Sequence, residues 1–204
     1  MNLHQLPLPD AEIAFDPQWL DTNAADRLLA ELRESIAWEN HRIRLFGHEH
    51  ASPRLSCWIG DPEASYRYSG TRFEPHPWPE ALRPLRERLG RELGVAFNSV
   101  LANRYRDGRD CMGWHSDSEP ELGPAPVIAS VSLGAVRRFV LKHRGEPTQK
   151  LTIELPHGSL LVMRGGTQRH YKHALPRTTK PVGERINLTF RRICPPVRTG
   201  IQSG

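Results

Sequence analysis

The 204 residues are 38% hydrophobic and 25% charged, which excludes a disordered chain and suits one domain with a substantial core. No apolar run approaches the ~20 residues of a membrane span, and Cys57, Cys111 and Cys194 are too few and too far apart for a disulfide framework or a zinc knuckle. A net charge of +5 and a pI of about 9.4 favour polyanions such as nucleic acid as partners, although charge alone does not separate this from an inert basic surface.

MNLHQLPLPDAEIAF lacks a basic stretch followed by a long apolar core. The reading is therefore a monomeric cytoplasmic protein, nuclear if eukaryotic, with no membrane partner. Residues 1–20 look irregular because of Pro7, Pro9 and Pro17. Asp21, Thr22 and Asn23 then offer N-caps, and Ala25, Leu28, Leu29, Leu32 and Ile36 follow at helical spacing. Residues 41–70 mix Phe46, Trp58, Tyr66 and Tyr68 with Arg and His in short extended pieces. Leu82, Leu85, Leu89 and Leu93 predict a second helix over 79–94 that ends at Gly94, with Pro84 in or near its first turn.

From residue 95 the pattern turns to β. VAFNSVLANRY, VIASVSLG, RRFVLKH, KLTIELP, GSLLVM and RINLTFRRI are strand candidates separated by turn residues. Six such runs predict a closed barrel or jelly roll with the helices packed outside. Period 2 puts Phe97, Ser99, Leu101, Asn103 and Tyr105 on one face of the first run. It puts Arg185, Asn187, Thr189 and Arg191 on one face of the last. Two arginines on one face suit a dicarboxylate or a phosphate if that face lines a pocket, and a solvated edge if it does not.

CMGWHSDSEPELG sets His115 and Asp117 two residues apart, where an extended chain points both the same way. Either His170 or His173 would complete two histidines and one carboxylate with open positions, the facial arrangement of non-haem Fe(II) oxygenases rather than closed structural zinc. His157, ahead of Gly158, reads as serving a turn. An HxD pair alone says little. HxD followed by a distant His and then an RxNxTFR strand says much more.

NRYRDGRDCMGWHSDSEPELG, VIASVSLGAVRRFVLKHR, LPHGSLLVMRGGTQRHYKHALPRT and RINLTFRRI resemble the AlkB family of Fe(II)/2-oxoglutarate dioxygenases, strongly over about residues 97–193. The resemblance implies an α+β fold: a double-stranded β-helix, or jelly roll, with flanking N-terminal helices and a nucleotide-recognition lid. Residues 1–204 would form a single domain, with 41–75 as the lid and 95–193 as the catalytic core. It further implies His115, Asp117 and His173 as ligands of Fe(II). Asn103, Tyr105, Arg185, Asn187, Thr189 and Arg191 would contact 2-oxoglutarate, with Arg191 pairing its distal carboxylate. Phe46, Gly47, His48, Tyr66 and Tyr68, aligned through LFG and YRYSG, would meet the substrate base. So would Ser118 and Glu119, where the duplex-repair branch has an acid in place of Ser118.

The implied activity is oxidative demethylation of N-alkylated bases in DNA or RNA. It consumes O2 and 2-oxoglutarate, releases formaldehyde, succinate and CO2, and repairs alkylation damage directly. The alternatives are a same-fold hydroxylase of a protein or small molecule, and a non-catalytic nucleic-acid binding module.

Overall fold

The structure, a computed structural model, describes residues 2–45, 48–64, 66–68 and 71–194. The N-terminal stretch is more regular than its prolines suggest. Strands β1 (His4–Leu6) and β2 (Glu12–Asp16) pair antiparallel, and Pro7, Pro9 and Pro17 fall outside both. A proline cannot donate to a ladder, so the strands stop where the prolines begin. Helix α1 (Thr22–Ser35) follows, with the Asp21 carboxylate accepting the Ala24 N–H at 2.8 Å as its N-cap.

Next come β3 (Arg42–Leu45), β4 (His48–Ala51), β5 (Leu55–Gly60), β6 (Tyr66–Tyr68) and β7 (Thr71–Phe73). Helix α2 (Leu82–Leu93) starts later than the predicted 79, keeps Pro84 in its first turn and ends on Gly94 at φ 69°. The remaining elements are β8 (Ser99–Tyr105), β9 (Met112–His115), β10 (Ile128–Gly134), β11 (Arg137–His143), β12 (Lys150–Leu155), β13 (Ser159–Arg164), the short helix α3 (Thr167–His170), β14 (Tyr171–Leu175) and β15 (Arg185–Arg191).

Two antiparallel sheets make a sandwich. The larger runs β1-β2-β13-β10-β15-β8-β5 and the smaller β12-β11-β14-β9, the arrangement of a double-stranded β-helix. The hairpins β3–β4 and β6–β7 form two separate sheets. They flank β5, which lies within residues 41–75 yet belongs to the edge of the large sheet.

The large sheet is apolar on its outer face. Leu29 and Leu32 of α1 and Leu82, Leu85 and Leu89 of α2 pack there with Val131, Leu133, Leu160 and Leu188. Burying each leucine contributes about 1.5–3 kcal/mol, which outweighs the marginal stability of short helices alone. Phe97 lies ahead of β8 rather than on its Asn103 face, and its ring meets Phe190 edge-on within this helix-side core. Among the described residues no helix is long and apolar enough to cross a membrane.

Between the sheets the interior changes character. Ile13, Ile128, Leu161 and Met163 of the large sheet meet Leu141, Ile153, Leu155 and Tyr171. Along β10, β15 and β8 the same inward face carries Ser130, Ser132, Asn103, Arg185, Asn187, Thr189 and Arg191, all buried. A polar wall inside a sandwich is costly unless it is paired or binds something.

Burial also separates the cysteines. Cys57 is 2% exposed, and burial, helped by Glu39, pushes its thiol up to about 12. Cys194 is exposed and Cys111 half-buried. Iodoacetamide at neutral pH should label Cys194 readily and Cys57 only after denaturation, read by peptide mass spectrometry. Labelling of native Cys57 at the Cys194 rate would contradict the packing around β5.

Candidate metal centre and cosubstrate site

His115 ends β9 and lies directly opposite His173 of β14, so their side chains leave the same face. The ring centroids are 4.2 Å apart. Two residues on, past the strand end, Asp117 turns inward and is 4% exposed. Ligand atoms of His115, Asp117 and His173 all lie within 4.8 Å of one another.

Proton positions fit a metal here. His115 Nδ1 is 2.8 Å from the Gly113 carbonyl, which can only accept, so Nδ1 carries the hydrogen and Nε2 keeps its lone pair. Burial, reinforced by neighbouring His115, pushes the His173 imidazole down to about 3, so it is neutral and ready to ligate near neutral pH. Burial is also the largest influence on Asp117 and opposes its ionisation. Arg191, through its charge and its hydrogen bond, with smaller contributions from the neighbouring His173 and His115, still holds the carboxyl below its ordinary value. Arg191 Nη2 donates to Asp117 Oδ1 at 2.7 Å. Two imidazoles and one carboxylate are the donor set expected for non-haem Fe(II).

His170 takes no part in this trio. With Asp10 and His143 it forms a second group whose ligand atoms fall within 4.8 Å. Its protons argue against a metal. His143 Nδ1 accepts the Glu146 and Gly145 N–H groups at 2.8 and 3.2 Å, so the hydrogen sits on Nε2, which faces Asp10 at 3.8 Å. A metal on Nε2 would need the opposite tautomer and would orphan both amides. His157 serves a turn, accepting the Gly134 N–H on Nδ1 at 2.8 Å.

Beside the trio runs a ladder of buried side chains. Arg185 Nη2 donates to Ser132 Oγ at 2.9 Å and to Asn187 Oδ1 at 2.6 Å. Asn187 Nδ2 donates to Thr189 Oγ1 at 2.9 Å, and Ser130 Oγ donates to Asn187 Oδ1 at 3.0 Å. The two arginines differ in company. Arg191 is ion-paired with Asp117. Arg185, 1% exposed, has neutral neighbours in Ser132, Asn187 and the Tyr105 ring at 5.3 Å. Among the described residues its buried Nε has no hydrogen-bond partner. Burial, with Arg137 nearby, pulls the guanidinium down to about 10, so it remains charged at neutral pH. A buried cation among neutral groups with an orphaned N–H fits an anionic ligand.

The structure thus brings His115, Asp117 and His173 together and sets Asn103, Tyr105, Arg185, Asn187, Thr189 and Arg191 on the inward face of two paired strands. Ser118 is exposed and Glu119 half-buried beyond the trio. Phe46 and Gly47 lie outside the described residues, and His48, Tyr66 and Tyr68 are described as strand backbone only. Three groups were not anticipated. Ser130 and Ser132 repeat at period 2 inside an apolar run, a visible signal of a polar inner face. Arg54 Nε donates to Asn103 Oδ1 at 2.8 Å, and Gln168 Oε1 accepts the Asp117 N–H at 2.9 Å. Neither shows any sequence pattern.

A family model described as the 2OG-Fe(II) oxygenase superfamily matches residues 13–191. The chain is 36% identical over 201 residues to human "Alpha-ketoglutarate-dependent dioxygenase alkB homolog 3", covering 94% of this chain and 70% of that one. The chain belongs to the AlkB family. "DNA oxidative demethylase ALKBH2" of Bos taurus is 41% identical over 181 residues, covering 84% of this chain and 65% of that one. The Arabidopsis thaliana protein of the same name is 38% identical over 189 residues, covering 79% and 60%. The solved structure described as "The structure of OsALKBH1" superimposes with a TM-score of 0.59 at 18% identity, covering 94% of this chain and all of that one, which supports the shared fold. As a member of this superfamily the protein is an Fe(II)- and 2-oxoglutarate-dependent dioxygenase.

Proposed function

We propose that this AlkB-family protein oxidatively removes N-methyl groups from nucleic-acid bases and so reverses alkylation damage directly. One observation carries the reading: two histidines and one aspartate whose ligand atoms converge beside a polar wall, which holds a buried arginine with neutral hydrogen-bond partners among the described residues. Relatives named as DNA oxidative demethylases support the substrate class.

His115, Asp117 and His173 would hold Fe(II). With 2-oxoglutarate also bound, that ion supplies O2 activation, giving hydroxylation of a substrate C–H bond together with succinate and CO2. The chain's residues position the parts. Arg185, with Tyr105 beside it, holds the remote carboxylate of 2-oxoglutarate. Arg191, which the family resemblance would set on that carboxylate, donates to Asp117 Oδ1 and would serve the metal end. Asn103, steadied by Arg54, and Asn187, steadied by Thr189, line the space between. A hydroxylated N-methyl group then collapses to formaldehyde and the bare base nitrogen. The target base must leave its stack to reach so enclosed a site. Residues 41–75 would serve as the lid that receives it, and Ser118 and Glu119, which lie beyond the trio, would meet the same base.

Outside the small sheet, Trp114, Lys142, His143, Arg144 and Lys172 line one groove, and Trp114 is 50% exposed. Lys142 and Lys172 are direct cross-strand partners. Like charges so placed repel, which a phosphate backbone would relieve, while Trp114 offers a stacking face. The double variant Lys142→Glu, Lys172→Glu should weaken oligonucleotide binding and reduce its salt slope by about 2. An unchanged slope in fluorescence anisotropy would remove the groove from the binding path. Succinate formation stimulated by a methylated oligonucleotide, and not by peptides or small molecules, separates this function from the same-fold hydroxylase. No succinate with any methylated substrate would favour a non-catalytic binding module.

A further inference from the structure

We propose that Gln168 is a positioning residue for the metal centre, acting through the main chain of Asp117; the inference rests on His115, Asp117 and His173 being the iron ligands. Asp117 lies beyond the end of β9, where no sheet ladder orients its peptide. A ligand carboxylate must nonetheless be held within about 0.5 Å of its working place. The structure supplies two clamps. Arg191 takes carboxylate Oδ1 at 2.7 Å, and Gln168 Oε1 accepts the Asp117 N–H at 2.9 Å.

The second clamp is itself anchored. Gln168 is 2% exposed, and its Nε2 reaches Met163 Sδ at 3.5 Å. Next to it Thr167, 1% exposed, donates through Oγ1 to the Arg164 carbonyl at 2.6 Å and accepts the Glu12 N–H at 3.0 Å. Helix α3 is thereby tied to β2 and β13, and it leads directly into β14, which carries His173. Gln168 therefore couples the loop bearing Asp117 to the chain segment bearing the third ligand. An N–H can only donate, so the orientation of the Gln168 amide is fixed. A neutral amide also suits the place, since a carboxylate there would set a second anion beside Asp117.

A merely structural Gln168 would satisfy one buried N–H and affect stability alone. A positioning Gln168 sets metal affinity in the folded protein. The test is calorimetric titration of Mn(II) into the metal-free full chain, for wild type, Gln168→Leu, Gln168→Asn and His115→Ala, with folding checked by circular dichroism. Leucine removes the acceptor and asparagine shortens its reach. Both should weaken Mn(II) binding by roughly 10- to 100-fold while the spectra stay native. If His115→Ala loses Mn(II) but both Gln168 variants stay within about twofold of wild type, against that expected loss, the role of Gln168 is overturned and the metal site stands. Unchanged affinity in His115→Ala overturns the metal site itself. Should the Gln168 variants fail to fold, hydrogen exchange of the Asp117 amide in wild type decides: slow exchange supports the clamp, and exchange at the open-chain rate overturns it.

Discussion

His115→Ala should abolish 2-oxoglutarate turnover while leaving the fold and nucleic-acid binding in place. His115 is half-buried at a strand end, so its removal strands no buried charge and should cost about 1 kcal/mol of stability. Its imidazole is nonetheless one of three donors, held with Nδ1 on Gly113 so that Nε2 faces its partners. Two donors do not fix an ion that must keep open positions for cosubstrate and O2. Asp117→Ala should be equally inactive but a poorer probe. It removes the carboxylate from beside buried Arg191, and breaking a buried pair costs about 3–5 kcal/mol. The check is succinate production alongside oligonucleotide anisotropy and a melting curve of the metal-free protein. Undiminished turnover in His115→Ala would remove it from the centre.

The second large effect separates the two arginines. Arg185→Met should raise the Km for 2-oxoglutarate by roughly 30-fold or more, the equivalent of about 2 kcal/mol or more for losing one partner of a buried, hydrogen-bonded charge pair. The fold should tolerate the change, because an apolar side chain of similar length relieves the cost of burying an acid-free cation. Arg185→Lys should fall between, since an ammonium keeps the charge and loses the planar fork. Arg191→Met should act differently, lowering kcat through Asp117. Steady-state kinetics in 2-oxoglutarate decide the matter. A raised Km in Arg191→Met with none in Arg185→Met would return the remote carboxylate to Arg191.

What the sequence showed and what it hid follow from the range of each signal. The long runs in the β half announce themselves by period, and period 2 alone places Arg185, Asn187, Thr189 and Arg191 on one face, where β15 holds them. The pairing of His115 with His173 joins two strands of four and five residues, too short to show a period, and depends on chain 58 positions away. Without the family resemblance, His170 and His173 were equally placed as the third ligand. The structure separates them because α3 ends at His170 and turns its ring to His143. Arg185 and Arg191 look alike in sequence for a related reason: the acid that distinguishes them lies 74 residues from Arg191 in a loop. Gln168 was invisible because a single hydrogen bond to a main-chain N–H leaves no pattern of residue types.

The demethylase assignment meets its most direct test in formaldehyde release from a panel of oligonucleotides, single- and double-stranded, DNA and RNA, each with one N-methylated base. Formaldehyde should appear for at least one methylated strand, match succinate one for one, require both Fe(II) and 2-oxoglutarate, and vanish in His115→Ala. Succinate without formaldehyde across the whole panel would contradict nucleic-acid demethylation while leaving the dioxygenase fold intact.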